Sequence, residues 1–253
     1  MNLRDLDSWC RSILDIDRFA SIDDSLNGVQ VGRRGQSIDR VAFAVDACAE
    51  TIRRAAAGGA QALFVHHGLF WGKNLRVEGA HLERMRLLLE TDMALYACHL
   101  PLDAQSELGN NAVLARMMGL AAVEGFGEHR GVKLGFAGTI DPPISLDEAV
   151  RRVLPDGSRP RCLIPGGPEK IGRAAVVSGG APFETLQAIE AGLDLYVTGE
   201  PSHSIYHAVL EGGINFIAAG HYATEVWGVR AVSERLAREM GIQTFFVDLP
   251  TGL

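Results

Sequence analysis

Short apolar runs alternate with longer mixed stretches along the whole chain. The apolar runs at residues 41–45, 62–65 and 195–198 have the length of buried strands. At residues 82–89, apolar side chains instead recur every three or four positions, which is typical of an amphipathic helix. Because strands that alternate with helices usually form parallel sheets, this pattern predicts an α/β fold.

The predicted elements form two series with the same order of strands and helices. Asn110 is the predicted N-cap of one helix, and Gly119 is its predicted stop. The predicted strands cover residues 41–45, 62–65, 94–98, 174–178, 195–198 and 216–219, and the predicted helices cover residues 48–57, 82–89, 111–118, 185–191, 203–210 and 226–240.

The two halves also share local sequence features. One predicted helix ends at Gly59 and another at Gly192, a strand follows each, and His67 and Glu200 come eight residues after the respective glycine. Further on, both halves continue with a strand, a small residue, a histidine and, four positions later, a carboxylate. Such a repeat predicts two related α/β lobes, divided near residue 125. The predicted lobes cover residues 1–125 and 126–253.

Histidines and carboxylates follow directly after several predicted strands. In open α/β sheets the carboxyl ends of the strands form the ligand-binding edge, so we expect these side chains to converge in the cleft between the lobes. Imidazoles and carboxylates without thiolates suit Zn, Mn, Fe, Co or Ni. Adjacent histidines on a strand point to opposite sides and could hold one ion each, and a carboxylate could bridge two ions. The pattern predicts a dinuclear metal site, with His66, His67, His99, Asp103, His221 and Glu225 as candidates.

Other polar residues have two interpretations each. Glu200 is the repeat counterpart of His67 and is expected to face the same cleft. His203 and His207 lie four positions apart on a predicted helix, where they either contact substrate or metal or lie on the helix surface. The segment around Asp24-Ser25 and Asn27-Gly28 is either a plain turn or a polar loop beside the cleft.

Composition and charge exclude several classes of protein. The chain of 253 residues has 47% hydrophobic and 22% charged residues, which is ordinary for a globular protein. No apolar stretch approaches the length of a membrane helix, and the charged N-terminal segment does not resemble a secretory signal. The net charge of −7 argues against a dedicated nucleic-acid binder. Four cysteines without a CxxC pair are expected to be buried, reduced thiols of a cytoplasmic protein.

Five motifs carry a resemblance to a known family. They are HHGLFW from His66, HLPLD from His99, GNNA from Gly109, TGE from Thr198 and GHYATE from Gly220. In these motifs, and in their order along nearly the whole chain, the sequence resembles the NIF-three-like family. Within that family it is most similar to the bacterial YbgI-type proteins, which are often labelled GTP cyclohydrolase type 2 homologues.

The resemblance implies a two-lobed α/β fold, two divalent metal ions per chain and a toroidal homo-hexamer whose sites face an internal cavity. It implies Glu225 as the bridging ligand, and His99 as a residue that orients Asp103 or a water. Some relatives have two adjacent histidines after the Gly-Glu motif, whereas here Glu200 is followed by Pro201, Ser202 and His203. The metal ligands implied by the resemblance are His66, His67, Asp103, His221 and Glu225.

Two functional hypotheses follow. The first is a metal-dependent hydrolase acting on a small molecule, in which Glu200, His99 or His203 carries protons, and the family label suggests hydrolytic opening of the imidazole ring of GTP. The second is a non-catalytic toroidal scaffold that binds metal, DNA or a protein partner. Metal-dependent turnover would favour the first, and salt-sensitive nucleic-acid binding without turnover would favour the second.

Overall fold

The computed structural model describes all residues from Met1 to Leu253. They form two compact units, one of residues 1–105 and 228–249 and the other of residues 106–227 and 250–253. These units differ from the predicted lobes in where they divide the chain. Residues 106–125 fall in the second unit, and the C-terminal segment from residue 228 to 249 returns to the first.

Nine helices and eleven strands build the chain. The helices are α1 (Leu3–Leu14), α2 (Ala49–Ala57), α3 (Gly79–Glu90), α4 (Leu100–Ala104), α5 (Asn110–Met118), α6 (Leu146–Val153), α7 (Thr185–Glu190), α8 (Tyr206–Glu211) and α9 (His221–Met240). The strands are β1 (Gly28–Val31), β2 (Arg40–Asp46), β3 (Ala62–His67), β4 (Ala94–Ala97), β5 (Ala121–His129), β6 (Val132–Ile144), β7 (Cys162–Pro165), β8 (Ile171–Val176), β9 (Leu195–Thr198), β10 (Asn215–Ala218) and β11 (Gln243–Phe246).

The first unit is built on a five-stranded sheet in the order β1-β4-β3-β2-β11. Only β1 is antiparallel to its neighbour; the other strands pair in parallel. The central strands are buried on both faces, and Phe64 packs on Phe43 and Tyr96 with ring centroids 5.2 Å and 5.6 Å away. The parallel register places Asp46 beside His67, so the ends of β2 and β3 present both side chains at one edge.

The second unit is built on a six-stranded sheet in the order β5-β6-β8-β9-β10-β7. Its centre, β8-β9-β10, is parallel, and antiparallel strands flank it on both sides. One apolar layer, which includes Leu114, Val153 and Ile217, lies among the residues of α5, α6 and the sheet. Tyr196 and Phe216 belong to a second buried cluster. The ends of β9 and β10 are therefore held by packing on both faces.

The predicted internal duplication is confirmed in the order of elements. The first unit contains the series β2-α2-β3-α3-β4, and the second contains β8-α7-β9-α8-β10. In both series the three strands are neighbours and run parallel. A helix with a candidate carboxylate follows each series, α4 with Asp103 and α9 with Glu225.

Several predicted boundaries were wrong. Strand β8 begins three residues before the predicted start at 174 and ends two before the predicted end at 178, and α3 begins three residues before the predicted start at 82. Helix α9 begins at His221, five residues before the predicted start at 226, so His221 and Glu225 lie on a helix and not in a loop. The predicted helix at 203–210 is interrupted, because residues His203–Ile205 form a 3-10 turn before α8. Gly109 is the N-cap of α5 and Asn110 is its first helical residue, whereas Gly119 ends the helix with φ of +75° as predicted.

The expectation of four buried cysteines is met for two of them, whereas Cys48 and Cys162 are partly exposed. All four cysteines are free thiols, and Cys10 and Cys98 are buried, which raises the pKa of both. None of the helices combines the length and the apolar character that a membrane crossing requires.

Candidate metal centre

His66 is fixed in one tautomer by its surroundings. It is a buried residue near the end of β3, and its Nδ1 lies 2.9 Å from the carbonyl oxygen of Cys98. A carbonyl oxygen only accepts hydrogen bonds, so Nδ1 must donate and carry the proton. In the neutral ring the lone pair is then on Nε2, which is the arrangement a metal-binding histidine needs.

His67 and His99 are held in the same way by carboxylates. His67 Nδ1 donates to Asp46 Oδ1 at 2.8 Å, and His99 Nδ1 donates to Asp23 Oδ1 at 2.9 Å. Burial raises the pKa of Asp23, but its hydrogen bonds, chiefly from His99, outweigh this and hold the pKa below its usual value. The candidate ligand atoms of His66, His67 and His99 lie within 4.8 Å of one another. Three imidazoles therefore share one small region of the first unit.

Asp103 gives this region a carboxylate. It is a buried residue of α4, and its Oδ2 lies 3.5 Å from His66 Nε2. When His66 is neutral, the lone pair of Nε2 faces a carboxylate oxygen that also carries lone pairs. Two acceptors at this distance repel each other unless a proton or a metal ion lies with them. The pair therefore fits a cation.

The second unit has a matching arrangement on the first turn of α9. His221 Nε2 lies 3.1 Å from Glu225 Oε1, and His221 Nδ1 lies 2.7 Å from Glu200 Oε1. Burial lowers the pKa of His221, but the two carboxylates outweigh it and raise the pKa to about 9. A proton thus supplies the positive charge between these carboxylates in the metal-free protein.

The turn at Gly179 sets the position of Glu225. Gly179 has φ of +67°, and a Cβ added there would overlap with Glu225 Oε1. The turn is fixed by hydrogen bonds on both sides: Gly179 N donates to Thr224 Oγ1 at 3.0 Å, and Ser178 N donates to Asn111 Oδ1 at 2.6 Å. The close approach of backbone to carboxylate requires glycine at this position.

A divalent ion bound at His221 Nε2 must displace the proton that this nitrogen holds. Because the pKa is about 9, the ring is protonated at pH 7.5, and metal binding should release close to one proton from it. Above about pH 10 this release should vanish. Titration calorimetry in buffers of different ionisation enthalpy measures the protons released. Binding at pH 7.5 without proton release would contradict this protonation state of His221.

The contacts of His221 with Glu225 and Glu200 also link pH to the stability of the metal-free protein. The folded pKa of His221 is raised above its ordinary value of 6.5, so the stabilisation is fully present below pH 6.5. It is lost as the pH rises through about 9.

The remaining predicted site residues, Glu200, His203 and His207, belong to the second unit. Glu200 accepts the hydrogen bond of His221 Nδ1, so its contact is with a candidate ligand. His203 lies in the 3-10 turn and His207 on α8, and both are exposed. Within the second unit, the ring of His207 contacts the ring of Tyr206.

Sequence reasoning missed three residues that hold the candidate ligands: Asp46, Asp23 and Gly179. Asp46 carried a signal, because it ends the strand beside β3 as His67 ends β3 itself. For the segment near Asp23 the sequence allowed a plain turn or a polar loop, and the contact of Asp23 with His99 decides in favour of a loop at the candidate site. Gly179 had no sequence feature that linked it to Glu225.

A family model described as Duf34/NIF3 (NGG1p interacting factor 3) matches residues 1–251. The chain belongs to the Duf34/NIF3 family. A relative from Treponema pallidum, named GTP cyclohydrolase 1 type 2 homolog, is 41% identical over the full length of both chains. This confirms the resemblance seen in the five motifs.

Two solved structures of this family's fold are similar over their whole length. A protein titled ybgI, of unknown function, has a TM-score of 0.92 and 34% identity, with 100% of both chains covered. A protein from Thermus thermophilus has a TM-score of 0.90 and 37% identity, also with 100% of both chains covered. The mixed α/β fold with two sheets is thus that of the NIF3 proteins.

Proposed function

We propose that the two groups of candidate ligands serve one dinuclear metal centre. The support is chemical: in each unit an imidazole nitrogen and a carboxylate oxygen face each other at 3.5 Å or less and require a cation. Each ring has its Nδ1 tied to an oxygen that only accepts, which is how proteins orient histidines toward metals. The proposed ligands are His66, His67, Asp103, His221 and Glu225, with Glu225 as the bridge.

The donor set limits the metals. Nitrogen and oxygen donors without thiolates suit Fe, Zn, Mn, Co or Ni, and we propose two divalent ions of this class per chain. Such ions, when bound, lower the pKa of water and polarise a substrate oxygen. Asp46 and Glu200 would keep His67 and His221 oriented through their Nδ1 atoms. Their carboxylates would also raise the basicity of the rings they hold.

We infer that the protein is a metal-dependent hydrolase of a small molecule. The relatives are named GTP cyclohydrolase 1 type 2 homologs, so GTP is the first compound to test, with opening of the purine imidazole ring as the reaction. His99 and Glu200 are proposed to carry protons, since both lie beside candidate ligands. His203 is the weakest of the three proposed proton carriers because its side chain is exposed on the 3-10 turn.

A hydrolysis screen tests this proposal directly. Metal-loaded wild type and Asp103→Ala should be compared side by side on GTP and a panel of phosphorylated and heterocyclic metabolites. We expect at least one substrate whose hydrolysis requires metal and falls by at least about 100-fold in the variant, because an entire metal ligand is lost. Equal turnover by both proteins would point to a contaminating activity. Salt-sensitive DNA binding without any turnover would favour the scaffold hypothesis instead.

We also propose that the chain forms a homo-oligomer, with a toroidal hexamer as the expected state. This rests on the family resemblance, and light scattering of the purified protein measures it. A mass of six chains would support the hexamer, and a monomer would contradict it.

A further inference from the structure

The loop before β1 converges on His99 through Asp23. The Asp23 side chain is only 1% exposed, yet it accepts four hydrogen bonds. Oδ1 accepts from the backbone N–H of Ser25 at 2.9 Å and from His99 Nδ1 at 2.9 Å. Oδ2 accepts from Asn27 Nδ2 at 2.8 Å and from the backbone N–H of Leu100 at 3.0 Å. Both oxygens are therefore surrounded by donors.

Asn27 completes the link between the loop and His99. Its Oδ1 accepts from the backbone N–H of His99 at 2.7 Å, while its Nδ2 donates to Asp23. The loop thus holds the backbone of His99 through Asn27 and its imidazole through Asp23. Trp71 also packs edge-on against the His99 ring, with centroids 4.9 Å apart, and its indole N–H donates to the carbonyl of Gly68.

These contacts select one tautomer of His99. Asp23 offers only acceptors, so the neutral ring carries its proton on Nδ1 and its lone pair on Nε2. The ring centroids of His66 and His67 lie 5.0 Å and 5.6 Å from that of His99. His99 thereby differs from a histidine of the protein interior, because one of its ring nitrogens lies within 4.8 Å of candidate ligand atoms of His66 and His67.

We propose that Asp23 and Asn27 are positioning residues that keep His99 as a hydrogen-bond acceptor for the attacking water. The role of His99 toward water rests on the proposed hydrolase function, whereas its tautomer is a property of the metal-free protein.

Replacement of Asp23 by asparagine shows why the carboxylate matters. An asparagine must place its NH₂ group either toward Ser25 N–H and His99 or toward Leu100 N–H and Asn27, and each side already presents donors. The amide toward His99 would be accommodated if His99 moves its proton to Nε2 and accepts at Nδ1. Nε2 would then present a donor where an acceptor is needed.

The tautomer can be measured without substrate or metal. Long-range ¹H–¹⁵N correlation spectra of the metal-free protein at alkaline pH distinguish protonated from unprotonated imidazole nitrogens, and His99→Gln assigns the His99 signals by their loss. We expect a protonated Nδ1 in the wild type and a shift toward protonated Nε2 in Asp23→Asn. Asp15→Asn is the matched control, because it removes the same charge from a side chain that is 70% exposed.

Metal content and turnover complete the test. Asp23→Asn should keep the wild-type number of metal ions and lose turnover on the order of 10²- to 10⁴-fold, the range that a misplaced base costs. Asn27→Ala leaves the Asp23 carboxylate in place, so it should keep the tautomer and the metal ions and lose less turnover than Asp23→Asn, because His99 loses only its backbone hydrogen bond to Asn27. This variant keeps the test available if Asp23→Asn folds poorly. A wild-type His99 with its proton on Nε2, or an Asp23→Asn protein that loses its metal, would overturn the proposal. If no substrate is found, the proposed hydrolase fails while the spectra still decide the tautomer.

Discussion

Glu225→Gln should lower the affinity for divalent metal by more than about 100-fold and remove the metal-dependent activity. The substitution preserves the size of the side chain but replaces one oxygen with an amide NH₂, which repels a cation. The side chain is 4% exposed and 3.1 Å from His221 Nε2, so little water is present to compensate. Loss of residues that merely support ligands already costs about 10- to 100-fold, and loss of the proposed bridging ligand should cost more. Competition against a metal-binding dye measures the affinity.

His203→Ala is the control for this prediction. The side chain is exposed on the 3-10 turn of the second unit, so its loss should change metal affinity by no more than about twofold, as for an ordinary surface substitution. Thermal melting of both metal-free variants shows whether the fold is intact. If His203→Ala strips the metal while Glu225→Gln keeps it, the ligand assignment is wrong.

Gly179→Ala should lower metal affinity by about 10- to 100-fold, the scale expected when the surroundings of a ligand are disturbed. The added methyl group would overlap with Glu225 Oε1, and the neighbouring hydrogen bonds of the turn prevent the backbone from moving away. The left-handed φ of +67° also destabilises the protein by about 1–2 kcal/mol when a Cβ is present. Metal affinity and denaturant unfolding of the metal-free protein measure the two effects separately.

Gly213→Ala separates backbone strain from damage to the site. Gly213 has nearly the same φ, +65°, and no heavy atom lies within 4 Å of its added Cβ. It should lose similar stability and keep wild-type metal affinity. Equal metal affinities in the two variants would show that Gly179 does not act through Glu225.

The fold was predictable because buried parallel strands have a clear sequence signal. Strand β9 has the predicted bounds, and β2, β3 and β10 differ from prediction by one or two residues at an end. The start of α9 was missed because the apolar periodicity begins only after Glu225. The first turn of this helix is instead marked by Gly220 with φ of +121° and by Thr224, whose hydroxyl bonds back to the carbonyl of Gly220.

The candidate ligands were predictable from their positions after strands, but the carboxylates that orient them were less so. Asp46 depends on the register of β2 against β3, which places it beside His67. Asp23 is 76 positions away from His99 in the sequence, and only the folded loop brings the two together. Gly179 is constrained by the carboxylate of Glu225, and no feature of the sequence around Gly179 identifies that neighbour.

The histidines and carboxylates of the two units are proposed to hold two metal ions. Elemental analysis of wild-type protein, purified without chelator, reconstituted with Fe, Zn, Mn, Co or Ni and freed of excess metal, tests this proposal most directly. We expect a reproducible ratio close to two ions per chain for at least one of these metals. A ratio near zero for all of them would contradict the metal centre and the catalytic proposal with it.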